Sequence, residues 1–88
     1  MIWNKVGFVL ASAQRREVFN LINGCRTIDE IELKVRITTF TGVKRILKDF
    51  EKEGLIKIDG NKIQLTKMGK EVMKKIIDLF CSNEKIKF

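Results

Sequence analysis

An amphipathic helix with clear start and stop signals, followed directly by a hairpin, is the feature that most constrains this fold. Thr38-Thr39 supplies an N-cap, and apolar residues recur at helical spacing from there to about Glu53. The apolar stripe of this helix is Val43, Ile46, Leu47 and Phe50. Gly54 follows and favours a helix C-terminus. The pattern predicts a helix over residues 39–53.

The predicted hairpin surrounds Asp59-Gly60-Asn61. This triplet is typical of a tight turn between antiparallel strands. Apolar and polar residues alternate on both sides of it, over residues 55–58 and 62–65. The sequence therefore predicts a two-stranded ribbon immediately after the helix.

The same kinds of signal predict further helices on both sides of this unit. They cover residues 3–10, 13–22, 28 to about 35, and 67 to about 80. Ser12 and Thr66 are N-caps, and Thr27 forms a capping box with Glu30. Asn23-Gly24 is predicted to end the second helix with a left-handed residue.

The order of elements predicts a mainly α fold with a β-hairpin wing (α+β), that is, a winged helix-turn-helix with extra N- and C-terminal helical segments. We expect a single domain over residues 1–88, with core and wing at about 9–66. A C-terminal helix over 67–81 and a frayed tail over 82–88 complete it. Ile37 is predicted to be the buried residue of the turn between the short and the longer helix.

Composition excludes several classes of protein. With 88 residues the chain allows one domain, and no apolar run approaches the ~20 residues of a membrane span. Ile, Leu, Val and Phe are too frequent for a disordered chain. The apolar stretch before Ala11-Ser12-Ala13 is shorter than the ~7–15 residues that the hydrophobic region of a signal peptide needs. Cys25 and Cys81 alone indicate reduced thiols, so we expect a cytoplasmic protein.

The residue types also argue against catalysis. The chain has no His, which removes the commonest general base and the commonest metal ligand. Two cysteines cannot complete a zinc site, and no phosphate-binding loop occurs. We therefore expect no enzyme activity, no metal and no cofactor.

The net charge of +7 and the pI near 9.7 favour a polyanionic partner. However, the excess of Lys and Arg is spread evenly along the chain. Ordinary solvated lysines explain the composition equally well, so charge alone leaves both interpretations open.

Four stretches resemble the small archaeal winged helix-turn-helix transcription regulators of the broad ArsR/MarR type. They are LASAQRREVF at 10–19, TIDEI at 27–31, VKRILKDFEKEGLI at 43–56 and LTKMGKEV at 65–72. The sequence departs from the family in a turn one residue longer before Val43, and in Arg36 where Gly is common. The resemblance implies duplex DNA as a partner and dimerisation through the terminal helices.

The predicted DNA surface combines the helix over 39–53 with the hairpin. Arg and Thr suit base edges, and Lys suits phosphates. The outward residues of the helix are Thr39, Thr41, Lys44, Arg45 and Lys48. The hairpin adds Asn61 and Lys62. The resemblance implies that one of Arg15 and Arg16 contacts phosphate or braces the fold by an ion pair, and we include Arg16 in the predicted surface.

Apolar residues at both ends exceed what a small winged domain needs for its core. An exposed remainder marks an interface, and the resemblance implies a homodimer. The predicted dimer contacts are Trp3, Val6, Ile76, Ile77 and Phe80. The alternative is that these side chains pack within one chain.

Two functions follow from the sequence. The first is a sequence-specific, homodimeric transcription regulator that binds double-stranded DNA through the helix over 39–53. The second is a winged-helix interaction module within a transcription or replication complex, for example with the basal transcription machinery. In the second, this helix binds a protein instead of DNA.

Overall fold

Five helices and one antiparallel hairpin make up residues 2–86. The computed structural model describes the backbone of residues 2–86 and the side chains of residues 2–79. In chain order the elements are α1 (Ile2–Leu10), α2 (Ala13–Ile22), α3 (Ile28–Lys34), α4 (Phe40–Lys52), β1 (Ile56–Asp59), β2 (Lys62–Leu65) and α5 (Lys67–Ile86). This layout confirms a mainly helical α+β fold with a two-stranded hairpin.

Side-chain caps fix the helix starts, as the sequence predicts. Ser12 Oγ accepts hydrogen bonds from the amides of Gln14 and Arg15 at the start of α2. Thr27 Oγ1 accepts from the amide of Glu30, 3.2 Å away, at the start of α3. Such caps satisfy amides that have no partner within the helix, so short polar signals determine these boundaries.

The hairpin joins β1 and β2 as antiparallel neighbours, as the sequence predicts. Ile56 pairs with Leu65, and Asp59 pairs with Lys62 across the turn. Gly60 lies in the turn with φ +61°, a left-handed conformation that glycine adopts without strain. β1 starts one residue later than predicted, because the amide of Leu55 donates to the carbonyl oxygen of Phe50 at the end of α4, 2.9 Å away.

A short strand-like contact before α3 extends this sheet. The amide of Ile63 donates to the carbonyl oxygen of Arg26 (2.8 Å), and the amide of Ile28 donates to that of Asn61 (2.9 Å). Thr27 and Lys62 thereby form an isolated antiparallel bridge. The hairpin is therefore held against the start of α3, a pairing that the sequence pattern does not indicate.

The core is organised around α2, which contacts α1, α3, α4 and β2. Phe19 of α2 packs edge-to-face on Phe50 of α4 with ring centroids 5.4 Å apart, and Phe8 of α1 packs on the same ring at 6.1 Å. Cys25 is buried beside them as a small apolar side chain. The remaining fully buried residues include Val9, Val18, Ile31, Val43, Leu47, Leu55, Ile56 and Val72.

A close backbone approach at Gly69 seats α5 on the core. A Cβ at this position would overlap the carbonyl oxygen of Leu55. The Gly69 amide donates to Thr66 Oγ1, 3.0 Å away, which caps the helix start. The Leu-Thr-x-x-Gly pattern noted in the sequence therefore has a packing reason, because only glycine lets the first turn of α5 come this near.

Three local expectations are wrong. Ile37 is 57% exposed instead of buried, because hydrogen bonds to the turn backbone hold the segment at the surface. Within the described residues a positive φ occurs only at Gly54 and Gly60, so Gly24 does not end α2 in a left-handed conformation. Helix α5 continues to residue 86, where the sequence predicts a frayed tail from residue 82.

No helix within residues 2–86 is both long enough and apolar enough to cross a bilayer.

Candidate nucleic-acid interface

One face of α4 carries cations that form no ion pair among the described side chains. Thr41, Arg45 and Lys48 recur at helical spacing on the side opposite the apolar stripe, and all three are exposed. Lys44 is exposed beside them. Within the described part of the chain, Lys44, Arg45 and Lys48 form no ion pair and no side-chain hydrogen bond. Their charges are free to meet an external anion.

A carboxylate from α2 fixes the turn that leads into this helix. We call residues 35–39 the α3–α4 turn. Glu17 accepts hydrogen bonds from the amides of Arg36 (2.7 Å), Ile37 (3.1 Å) and Thr38 (2.9 Å). It also accepts from the hydroxyl of Thr38 at 2.9 Å. One side chain therefore satisfies three successive amides and holds the start of α4 against α2.

The environment of Glu17 keeps this carboxylate ionised. Partial burial raises its pKa, but the hydrogen bonds from Arg36, Ile37 and Thr38 outweigh burial and hold the pKa below its ordinary value. The hydrogen bonds at the turn are therefore charge-assisted at neutral pH, and such bonds are stronger than neutral ones.

A groove of about 620 Å³ separates the start of α2 from the exposed face of α4. Arg15 lines it from α2, and Arg45 lines it from α4. Arg15 is held in place, because it donates to the carbonyl oxygen of Phe8 at 3.2 Å and stacks 4.1 Å from the centre of that ring. Asp49 is the acidic residue of the groove. The other lining residues are Ala11, Ser12, Gln14, Thr39, Thr41, Gly42 and Ile46.

The structure separates the two arginines that the sequence treats alike. Arg16 lies beside Val9, Leu10 and Ile76, on the side of the molecule where α1 meets α5. It is exposed and forms no ion pair among the described residues. Arg15 is the arginine that lies in the groove with α4, because the two positions are about 100° apart on the helix.

Two other predicted contacts already have structural roles. Thr39 caps α4 by accepting from the amide of Gly42 at 3.1 Å, although its side chain stays exposed. Asn61 binds the start of α3, where its Nδ2 donates to Asp29 Oδ2 at 3.1 Å. Lys62 beside it is exposed and unpaired within residues 2–79. Of the two predicted hairpin contacts, Lys62 is therefore the one whose side chain has no partner among the described residues.

Gly42 has a structural explanation that does not involve a ligand. A Cβ at this position would lie 3.0 Å from Thr38 Cγ2 and 3.1 Å from Thr39 Oγ1. Both atoms belong to side chains that fix the start of α4, through Glu17 and through the N-cap. The small residue leaves room for these two anchors.

Large apolar side chains are exposed along α3, the α3–α4 turn and the start of α4. Leu33 is 82% exposed, Ile37 57% and Phe40 63%. The sequence predicts Ile37 as buried and does not single out Leu33 or Phe40, because Phe40 continues the apolar spacing of α4. This apolar surface borders the cationic face.

The predicted dimer contacts separate into two groups. The prediction of an exposed contact is wrong for Val6 and Ile76, which are only 3% and 4% exposed. Both are buried, because α1 packs on α5. Trp3 and Ile77 remain 54% and 45% exposed, with the Lys75 ammonium 5.6 Å from the Trp3 ring centre. Leu79 is 40% exposed and lies on the flank of α5 that carries Lys75, opposite the flank of Ile77. The side chain of Phe80 lies outside the described residues.

The part of the chain whose side chains are described brings no three Cys, Asp or Glu residues together as a metal site would require. Comparison of the sequence and fold with family models, curated proteins and solved structures gives no match. The functional proposal therefore rests on the residues of this chain.

Proposed function

We propose that this protein is a winged helix-turn-helix transcription regulator that binds double-stranded DNA as a homodimer. In this proposal α3 and α4 form the helix-turn-helix, α4 enters the major groove, and the β1–β2 hairpin is the wing. The observation that carries the proposal is the unpaired cationic face of α4, presented by a turn that Glu17 holds rigid. A fixed helix with free donors on its outer side is what base readout requires.

Each cation has a role that follows from its chemistry. Arg45 lies on the outermost part of α4 and donates in a planar fork, the geometry that matches the O6 and N7 acceptors of guanine. Lys44 and Lys48 flank it and bind backbone phosphates as point charges. Thr41, one turn earlier, offers a hydroxyl and a methyl group to base edges.

The groove and the hairpin support backbone contacts on either side of α4. Arg15 is preorganised by Phe8 at the groove wall, so little conformational entropy is lost when it meets a phosphate. Lys62 at the hairpin turn has a free ammonium for a second phosphate. These contacts position the helix and carry no sequence information.

The exposed apolar residues on α1 and α5 support the homodimer. Trp3 and Leu79 leave apolar side chains exposed on the flank of α5 that carries Lys75, and Ile77 leaves one on the opposite flank. A second copy can cover these side chains by two-fold symmetry. Ile77→Asp should give monomers that keep wild-type helicity, as judged by light scattering and circular dichroism. Met68→Asp, the same change at a half-exposed site at the start of α5, is the matched control and should stay dimeric. A wild-type monomer at micromolar concentration would contradict the dimer.

Fluorescence anisotropy of labelled duplexes tests DNA recognition. A duplex from the gene's own upstream region is compared with a scrambled duplex of equal length across a salt series. A preference of about 10³ or more at physiological salt is expected of an operator-binding regulator. Equal binding to both duplexes that disappears steeply with salt would show counterion release alone and would contradict sequence-specific recognition.

A second candidate function is an interaction module of a transcription or replication complex. The exposure of Leu33 and Ile37 favours it, because apolar side chains at a surface often mark protein contacts. In that case α3 and α4 bind a protein, and removal of the α4 cations leaves duplex affinity unchanged.

A further inference from the structure

Phe40 is the first residue of α4 and is 63% exposed. The other phenylalanines with described side chains lie in or against the core: Phe8, Phe19 and Phe50. The Phe40 ring, at the start of the helix that carries the free cations, is therefore the one among these with most of its surface outside the core. It is available to a ligand.

The position of the ring is fixed by the same contacts that fix the helix. Glu17 binds the amide and the hydroxyl of Thr38, two residues before Phe40. Thr39 caps the helix through the amide of Gly42. The backbone on both sides of Phe40 is thus anchored, so contact with a ligand requires ordering of the side chain alone.

The charges around Phe40 indicate which kind of partner covers it. Residues 33–48 contain no acidic residue. The cations of this stretch are Lys34, Arg36, Lys44, Arg45 and Lys48, and all five are exposed. Lys44 follows Phe40 by four residues and lies on the same side of α4. The carboxylate of Glu17 is occupied by the amides of the α3–α4 turn, and Asp49 lies two turns further along α4. An apolar ring beside five exposed cations complements a polyanion that also presents an apolar group.

Duplex DNA presents one such apolar group in the major groove, the 5-methyl group of thymine. Phenylalanine rings and threonine methyl groups are among the side chains that contact it. The first turn of a helix that enters the groove with its N-terminal end lies against base edges. Phe40 and the neighbouring Thr41 occupy this turn.

We propose that Phe40 contacts a thymine 5-methyl group in the major groove and makes the protein prefer thymine at that position of each half-site. This inference rests on the proposed function. It assigns an apolar, methyl-reading contact to the start of α4, beside the polar contacts of Arg45.

Replacement of thymine by deoxyuridine tests the inference, because it removes the methyl group and leaves every hydrogen-bonding group in place. The probe is the upstream duplex, with its thymines replaced one at a time and affinity measured by competition anisotropy at fixed salt. Burial of one methyl group corresponds to a loss of about fourfold on replacement, at one position in each half-site. Wild-type protein should show this loss, whereas Phe40→Ala should bind both forms equally at that position.

Two controls make the result interpretable. Met68→Ala removes a half-exposed apolar side chain from α5 and should keep the full wild-type sensitivity to deoxyuridine. Circular dichroism should show that Phe40→Ala melts within a few degrees of wild type, because the ring is largely exposed.

The outcomes separate the inference from the proposed function. If wild-type protein prefers the upstream duplex but no deoxyuridine replacement weakens it, the methyl contact is refuted and the regulator stands. If Phe40→Ala binds the duplex with unchanged affinity, the ring does not face DNA and a protein contact is indicated instead. If wild-type protein does not prefer the upstream duplex, the proposed function itself fails.

Discussion

Removal of the Glu17 carboxylate should destabilise the fold through the α3–α4 turn. In Glu17→Ala, the exposed amides of Arg36 and Ile37 regain hydrogen bonds from water at little net cost. Thr38 is 6% exposed, so its amide and hydroxyl are left without a strong acceptor. An unsatisfied buried donor costs about 1–3 kcal/mol, so the expected loss in free energy of unfolding is about 2–4 kcal/mol.

Urea unfolding followed by far-ultraviolet circular dichroism measures this loss. With a slope of about 1 kcal/mol per molar urea, the midpoint should fall by about 2 M or more. Glu71→Ala is the matched control, since Glu71 is exposed on α5 and makes no ion pair or hydrogen bond among the described residues. It should change the free energy of unfolding by less than about 0.5 kcal/mol. A Glu17→Ala midpoint equal to that of Glu71→Ala would refute the role assigned to the carboxylate.

Other substitutions test separate parts of the structure. The stabilisation by Glu17 depends on pH, because its pKa is lower in the folded than in the unfolded state. In urea unfolding, the ionisation-dependent part of the difference between wild type and Glu17→Ala should be full above the unfolded pKa and should be lost as pH falls through the folded pKa. Gly69→Ala should lower the free energy of unfolding by about 3 kcal/mol or more in thermal or urea unfolding, because the new Cβ would overlap the Leu55 carbonyl oxygen. A loss of less than about 1 kcal/mol would show that α5 does not approach Leu55 this closely. Gly7→Ala, with open space around its Cβ in α1, should instead stabilise by about 0.5–1 kcal/mol. Gly54→Ala should cost about 1–2 kcal/mol because φ is +78°, and a neutral result would contradict the left-handed helix end.

The elements of the fold were predictable because their signals are local. N-caps, a capping box and apolar stripes act within a few residues, and α2 and β2 match their predicted bounds. The same reasoning identified the outward cations of α4, since helical period alone separates Arg45 and Lys48 from the buried stripe.

The missed features depend on residues far apart in sequence. Glu17 meets the α3–α4 turn about 20 positions later, and Asn61 meets Asp29 across 32 positions. No pattern in the sequence pairs them, although both residues are of types that bind amides. The exposure of Ile37 follows from the first of these contacts.

Hydrophobic periodicity identifies an apolar helix face, but it does not predict which element packs against that face. Val6 and Ile76 have the same hydrophobic character as Trp3 and Ile77, yet the packing of α1 on α5 buries the first pair and exposes the second. Arg15 and Arg16 differ for the same geometric reason. Tertiary packing places neighbouring residues on different surfaces, and no local sequence pattern predicts that placement.

The central claim is that the exposed face of α4 binds DNA, and a double substitution tests it most directly. Arg45→Ala/Lys48→Ala is compared with wild type and with Lys74→Ala, an exposed cation of α5, in anisotropy titrations of the upstream duplex across a salt series. Loss of one bidentate base contact should weaken specific binding about 5- to 150-fold, and loss of one phosphate contact should lower the salt slope by about 0.9. Lys74→Ala should leave the preference for the upstream over the scrambled duplex unchanged. A double variant that binds with wild-type affinity and wild-type salt slope would contradict the claim.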